Sequence, residues 1–188
     1  MPDFFASSQT LGRLILVTGP SRSGKSAWAE ALAAQSQQPV LYIATSINNP
    51  DDLEWQKRIQ QHCDRRPPHW QLQEVPNALA EAISETPPNH CILIDSLGTW
   101  LANQLEQTAD EWQHTEATLL ETLQNSTERI ILVSEEVGWG VVPAYPAGRL
   151  FRDRLGTLAR RIGVLADQVY LVTTGYALDI KALGQPIP

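Results

Sequence analysis

The run Gly19-Pro20-Ser21-Arg22-Ser23-Gly24-Lys25-Ser26 reads GxxxxGKS, a spacing built to grip phosphate. Glycines permit backbone angles that turn successive N–H groups toward one anion. A helix starting beside the lysine adds the partial positive charge of its N-terminus. Lys25 has the reach for β- and γ-phosphates, and the Ser26 hydroxyl is a ligand for Mg2+. The apolar run Leu14–Val17 precedes the pattern and an Ala-rich stretch follows it. That strand-then-helix context makes the pattern a nucleoside triphosphate site.

Asp95 closes the apolar run Cys91-Ile92-Leu93-Ile94. Ligands of open parallel sheets sit beyond the carboxyl ends of the strands, which puts Asp95 where a Walker-B acid holds the Mg2+ shell. Asp95 and Ser96 also suit the cap of a helix starting near Leu97, and the two roles are compatible.

Lys57, Arg58, Arg65 and Arg66 make a cationic segment in a chain with 14 Lys+Arg against 21 Asp+Glu. Arginine forks match phosphate oxygens. Inside the segment, Trp55, Ile59 and His62 fall at i, i+4 and i+7, so His62 shares a helix face with apolar residues. Such a histidine serves either as a satisfied structural group or as a nucleophile. A nucleophilic ring must be neutral: a helix C-terminus favours imidazolium, whereas nearby arginines and burial favour the neutral form. Cys63 reads as structural, because no helix N-terminus precedes it to activate a thiolate. His69, His90 and His114 have no partners at ligand spacing and receive no role.

The elements that must carry these groups alternate. Strands are expected at Leu14–Thr18, Val40–Ala44, Trp70–Val75, Cys91–Asp95, Arg129–Ser134 and Gln168–Thr173. A return over Tyr176–Lys181 would follow the turn at Thr173-Thr174-Gly175 as an antiparallel edge hairpin. Runs such as LILV, CILI and RIILV are apolar almost throughout, as in a sheet covered on both faces. Helices are expected at Ser23–Gln35, Asp51–Cys63, Leu97–Gln107, Asp110–Gln124 and Arg149–Ala166. The last of these carries Phe151, Leu155, Leu158, Ile162 and Leu165 as one apolar stripe. Glu135–Gly148 is expected to be a long loop, a length at which loops are often functional. The fold class is α/β, a mostly parallel sheet flanked by helices.

A chain of 188 residues is expected to form one P-loop domain over 1–188, with 1–12 poorly ordered. Hydrophobic residues make up 43% of it and charged residues 19%, which excludes a disordered chain. A net charge of −7 argues against a nucleic-acid partner and against an anionic membrane surface. Two cysteines make no disulfide framework, and the N-terminus lacks the basic and apolar regions of a secretory signal. No apolar run approaches the roughly 18 residues of a membrane span. The expected location is the cytoplasm. Six tryptophans are assigned to core and interface packing rather than to a stacking surface for a flat ligand, and the five arginines within Arg149–Arg161 to a solvated helix face, with phosphate or subunit contact as the alternative.

An ordered set of motifs spans roughly Leu14 to Gly175. It comprises the GxxxxGKS, Leu41-Tyr42-Ile43-Ala44-Thr45-Ser46, and Arg58-Ile59-x-x-His62-x-x-x-Arg66-Pro67-x-x-Trp70. It continues with Glu136-Val137-Gly138-Trp139-Gly140-Val141-Val142-Pro143, Phe151-Arg152-Asp153 and Ala166-Asp167-x-Val169. The set resembles the bifunctional adenosylcobinamide kinase / adenosylcobinamide-phosphate guanylyltransferase family of cobalamin biosynthesis. The resemblance implies a RecA-like P-loop domain, a homotrimer, and GTP, ATP and Mg2+ as cofactors. Adenosylcobinamide and its phosphate are the implied substrates. One reaction would move the γ-phosphoryl group of ATP or GTP to adenosylcobinamide, with Lys25 as a catalytic residue. In the other, His62 would attack the α-phosphorus of GTP, and the corrinoid phosphate would then take the GMP.

Family nucleotide contacts fall on Gly19, Pro20, Ser21, Arg22, Ser23, Gly24, Lys25, Ser26, Thr45, Ser46, Ile47, Cys63, Asp64, Arg65, Arg66, Glu74 and Asp95. Ser26 and Asp95 are the implied metal ligands. The chain departs from the family pattern at Glu135, where Asn is usual, at Ala144-Tyr145, where Glu-Asn is usual, and at Ala159-Arg160, where Asn-Gln is usual. A guanylyltransferase-only relative or another small-metabolite P-loop kinase is the alternative reading. A GTP-binding regulator without turnover is a weaker one, since it has less need of the complete GKS and Asp95.

Overall fold

The computed structural model describes residues 11–47, 51, 54, 56, 57, 60, 63 and 66–187. The expectation for the first ten residues lies outside them, as does most of the expected helix Asp51–Cys63. Within that segment Glu54, Gln56, Lys57, Gln60 and Cys63 are helical.

Seven strands form one sheet: β1 Leu14–Gly19, β2 Val40–Ala44, β3 Gln71–Glu74, β4 Cys91–Asp95, β5 Arg129–Glu135, β6 Gln168–Thr173 and β7 Tyr176–Asp179. Their order is β3-β2-β4-β5-β1-β6-β7, parallel throughout except for the antiparallel β6–β7 pair. The hairpin turn holds Thr174 and Gly175 at positive φ, a backbone that matches strand twist.

Alternation along the strands builds two apolar layers, because successive side chains point to opposite faces. Leu14, Leu16, Leu41, Ile43, Ile92, Ile94, Ile130 and Leu132 face one layer. Four helices supply most of the rest: α2 Leu79–Ser84, α3 Leu97–Asn103, α4 Ala109–Asn125 and α5 Pro146–Leu165. Ile15, Val17, Val40, Tyr42, Leu93, Ile131 and Val133 face the other layer, against α1 Lys25–Gln35. On α1 the buried side chains are Lys25, Ala29, Leu32 and Ala33, and the alanines allow close approach to the sheet. No helix among the described residues is long and apolar enough to cross a membrane.

Several boundaries differ from expectation for identifiable reasons. Helix α1 starts at Lys25 rather than Ser23 because Gly24 is left-handed at φ 94°. Helix α3 stops at Asn103 rather than Gln107. The carbonyls of Gln104, Leu105 and Gln107 turn to accept from the buried Arg154 guanidinium, which lies over the Trp112 ring. Helix α5 begins at Pro146, whose fixed φ suits a first turn, so the preceding loop shrinks to residues 136–145. The C-terminal return ends at Asp179, whose carboxylate accepts from Ala182 N and caps a one-turn helix, α6 Ile180–Leu183. The edge strand expected over Trp70–Val75 is shorter, Gln71–Glu74. Helix α2 was not anticipated; six residues are too few for a legible period, yet Leu79, Ala82 and Ile83 are buried.

Register lines up the strand ends that matter. Gly19 pairs with Glu135, Ala44 with both Asp95 and Glu74, and Asp95 with Val133. Strand β5 thus separates the strand of the glycine turn from the strand of Asp95.

Candidate active site

At the carboxyl edge of the sheet lies a cleft of about 440 Å3. Strand β1 delivers the chain to Gly19, where an added Cβ would sit 2.3 Å from the Val172 carbonyl oxygen, so no larger residue fits. The turn that follows is closed by Ser23 N donating to Pro20 O at 3.3 Å, and α1 opens with Trp28 N donating to Gly24 O at 2.9 Å. Among the described residues no side chain caps α1, and no acid lies in its first turn. Its leading N–H groups therefore keep their capacity for an anion. Lys25 is only 9% exposed and lines the cleft with Ser21 and Ser26. The buried Ser23 hydroxyl has no hydrogen-bond partner among the described residues.

Ser96, rather than Asp95, caps α3. The Ser96 hydroxyl accepts from Thr99 N at 3.3 Å, and Thr99 Oγ1 accepts in return from Ser96 N at 3.2 Å. Asp95, half-buried at the end of β4, is left to line the cleft. Its Oδ2 accepts from the Tyr42 hydroxyl at 3.0 Å. Burial and the neighbouring carboxylate hold that phenol protonated far above its usual range.

Glu74 and Ser46 bring the ends of β3 and β2 to the same cleft. Thr45 is fully buried instead, donating to Ser96 O at 2.7 Å and accepting from Ser96 N at 3.0 Å. Ile47 is 58% exposed and does not line the cleft. Cys63 and Arg66 form its cationic side: Arg66 Nη2 lies 3.1 Å from Cys63 Sγ, and its guanidinium carbon 4.7 Å from the centre of the Tyr42 ring. Pro20, Arg22 and Gly24 belong to the glycine turn itself, with Arg22 at φ 60°. His62, Asp64 and Arg65 lie outside the described residues.

The cleft includes residues that motif reading did not assign to it. Glu135, at the end of β5, accepts from Gly98 N at 3.0 Å and so braces the start of α3. Val137 and Phe151 add an apolar wall. Tyr42 has two sequence signals, its place in the motif Leu41–Ser46 and a phenol in an otherwise aliphatic strand two residues from its end. At the other departures, Tyr145 precedes the first residue of α5 and is exposed, Ala144 O accepts from Arg149 Nη1 at 2.7 Å, and Arg160 is exposed.

A glycine turn leading into an uncapped helix, with a lysine, a hydroxyl and a carboxylate around one cleft, defines a P-loop nucleotide-binding α/β protein. Solved structures agree on the fold. An ATPase from the type III secretion system of pathogenic bacteria aligns with a TM-score of 0.52 at 10% identity, covering 94% of this chain and 59% of that one. A protein of Pyrococcus horikoshii OT3 aligns with a TM-score of 0.51 at 8% identity, covering 92% and 87%.

Sequence relatives define the family. The model described as "Cobinamide kinase / cobinamide phosphate guanyltransferase" matches residues 15–180. A "Bifunctional adenosylcobalamin biosynthesis protein CobP" of Pseudomonas aeruginosa is 40% identical over 176 residues, 92% of this chain and 98% of that protein. A "Bifunctional adenosylcobalamin biosynthesis protein CobU" of Salmonella typhimurium is 37% identical over 183 residues, 89% and 99% respectively. Its Escherichia coli namesake is 36% identical over the same length. The chain belongs to the cobinamide kinase / cobinamide phosphate guanyltransferase family.

Proposed function

We propose that this chain carries out both reactions of its family on adenosylcobinamide, in the cytoplasm and as a homotrimer. In the kinase step the acceptor hydroxyl oxygen bonds to the γ-phosphorus of ATP or GTP. The bond from that phosphorus to the β-bridging oxygen breaks, the nucleoside diphosphate leaves, and the hydroxyl proton is lost. In the guanylyl step a ring nitrogen of His62 bonds to the α-phosphorus of GTP and pyrophosphate leaves. An oxygen of adenosylcobinamide phosphate then attacks the same phosphorus, freeing the imidazole and giving adenosylcobinamide-GDP. Covalent catalysis of this kind divides one hard displacement into two.

The observation that carries the reading is the meeting of Lys25, Ser26 and Asp95 in one cleft with Arg66, from the segment that bears His62. Lys25, brought in by α1, neutralises the triphosphate, and the free N–H groups of that helix orient it. Arg66 adds a fork on the opposite side. The donor set fits Mg2+: one carboxylate and one hydroxyl leave positions for phosphate oxygens and water. Ser26 and Asp95 would hold the ion, which when bound offsets charge on the β- and γ-phosphate oxygens. Ser21, Ser46 and Glu74 complete the wall around the nucleotide.

Incubation with GTP labelled at the α- or γ-phosphorus tests this directly. Acid-labile, base-stable protein label is expected from the α position only, and is expected to vanish in His62→Ala. Label from γ-phosphate should pass to adenosylcobinamide in wild type and variant alike. A folded wild-type protein that takes no α-label would exclude the guanylyl-histidine and leave a kinase.

A further inference from the structure

We propose that Tyr42 is a positioning residue joining the two sides of the nucleotide site, its hydroxyl orienting the Asp95 carboxylate and its ring carrying the Arg66 guanidinium. The inference rests on the reading above, in which Asp95 serves the metal and Arg66 the phosphates. Strand β2 is otherwise Val40, Leu41, Ile43 and Ala44, so packing alone would be satisfied by an aliphatic side chain. Tyr42 lies on the α1 side of the sheet, 4% exposed, and its hydroxyl reaches the next strand to donate to Asp95 Oδ2 at 3.0 Å. A buried phenol needs such an acceptor, and the acceptor chosen here is a carboxylate of the cleft.

The same ring meets Arg66, whose guanidinium carbon is 4.7 Å from its centre. A long arginine loses several rotors when it is ordered. A face-on aromatic ring and the Cys63 sulfur at 3.1 Å fix Arg66 before any ligand arrives. Displacing the Tyr42 side chain would therefore disturb both Asp95 and Arg66. Groups that orient a metal ligand are worth roughly 10–100-fold in metal affinity.

Binding of a fluorescent GTP analogue, titrated with Mg2+ and repeated in EDTA, separates the two functions. Tyr42→Phe keeps the ring and removes the hydroxyl. It is expected to raise the Mg2+ concentration for half-saturation roughly tenfold and to leave metal-free binding unchanged. Tyr42→Leu removes both, so metal-free binding is expected to weaken roughly two- to fivefold as well. Arg66→Met should lose at least that much metal-free affinity, and Tyr42→Met, which keeps a flexible apolar side chain without the ring, repeats the ring's test should Tyr42→Leu not fold. Asp95→Asn is the control for the metal reading. If Asp95→Asn shifts the Mg2+ midpoint and Tyr42→Phe does not, the proposal falls while the metal reading stands. If neither shifts it, both fall. A metal-free loss as large in Tyr42→Phe as in Tyr42→Leu would also overturn the proposal.

Discussion

In the proposed phosphoryl transfer Lys25 brings one positive charge to the triphosphate. Its stem is buried at the first position of α1, so its charge has few directions in which to act. Lys25→Ala is expected to lower kcat of phosphoryl transfer roughly 10²–10³-fold, as loss of one charge-stabilising donor does. Initial rates with adenosylcobinamide and ATP measure it. A second single-residue effect belongs to Cys91, which is fully buried in β4. Burial pushes its thiol from an ordinary value of 9.0 up to about 11. The unfolded chain then releases this proton at lower pH than the native one, so the contribution is intact below pH 9 and lost between about 9 and 11. Urea midpoints should fall across that window, and less steeply in Cys91→Ala.

Helix α3 shows what an element contributes beyond its own side chains. The Ser96–Thr99 cap holds its start, and Glu135 braces it from β5. Asn103 Nδ2 at its far end donates to both Thr45 O, at 2.8 Å, and Pro76 O, at 2.9 Å. Those bonds tie together the loops after β2 and β3, which frame one side of the cleft. Helix α1 depends on its entry: Gly24→Ala places a Cβ at φ 94°, and is expected to cost roughly 1–2 kcal/mol and to weaken nucleotide binding. Thermal unfolding and GTP affinity measured together test that pairing. Helix α5 is held by its stripe instead. Leu158→Ala should cost about 2–5 kcal/mol, whereas Val164→Ala, at a position 67% exposed, should stay within about 0.5 kcal/mol. Urea denaturation of the two variants separates them.

For the molecule as a whole, nucleotide and fold are linked. A ligand at 100 times its Kd adds about 2.7 kcal/mol to the native state. For a chain this long that corresponds to a rise in Tm of roughly 5–10 °C, expected with GTP and Mg2+ and strongly reduced in Lys25→Ala; differential scanning fluorimetry reads it. The net charge of −7 and the Lys25 and Arg66 cations of the cleft act at different ranges, so rising salt should weaken GTP binding without changing the fold. The proposed trimer predicts a light-scattering mass three times that of the chain.

Local rules in the sequence were enough for the glycine turn, the strand behind it, Asp95 at a strand end and the hairpin at Thr174-Gly175. Each is set by residues adjacent in the chain: an apolar run, a glycine at positive φ, a cap. The stripe on α5 was legible for the same reason, since a period of 3.6 is written along the chain itself. Strand order was not, because β1 lies between β5 and β6 through contacts more than a hundred residues away in sequence. Only that order places Glu135 beside Gly19, stops α3 early by turning the carbonyls of Gln104 to Gln107 toward Arg154, and lets one buried tyrosine touch both Asp95 and Arg66. Periodicity and capping act over a few residues, whereas a cleft is made where distant strand ends converge, and packing alone decides which side chains meet there.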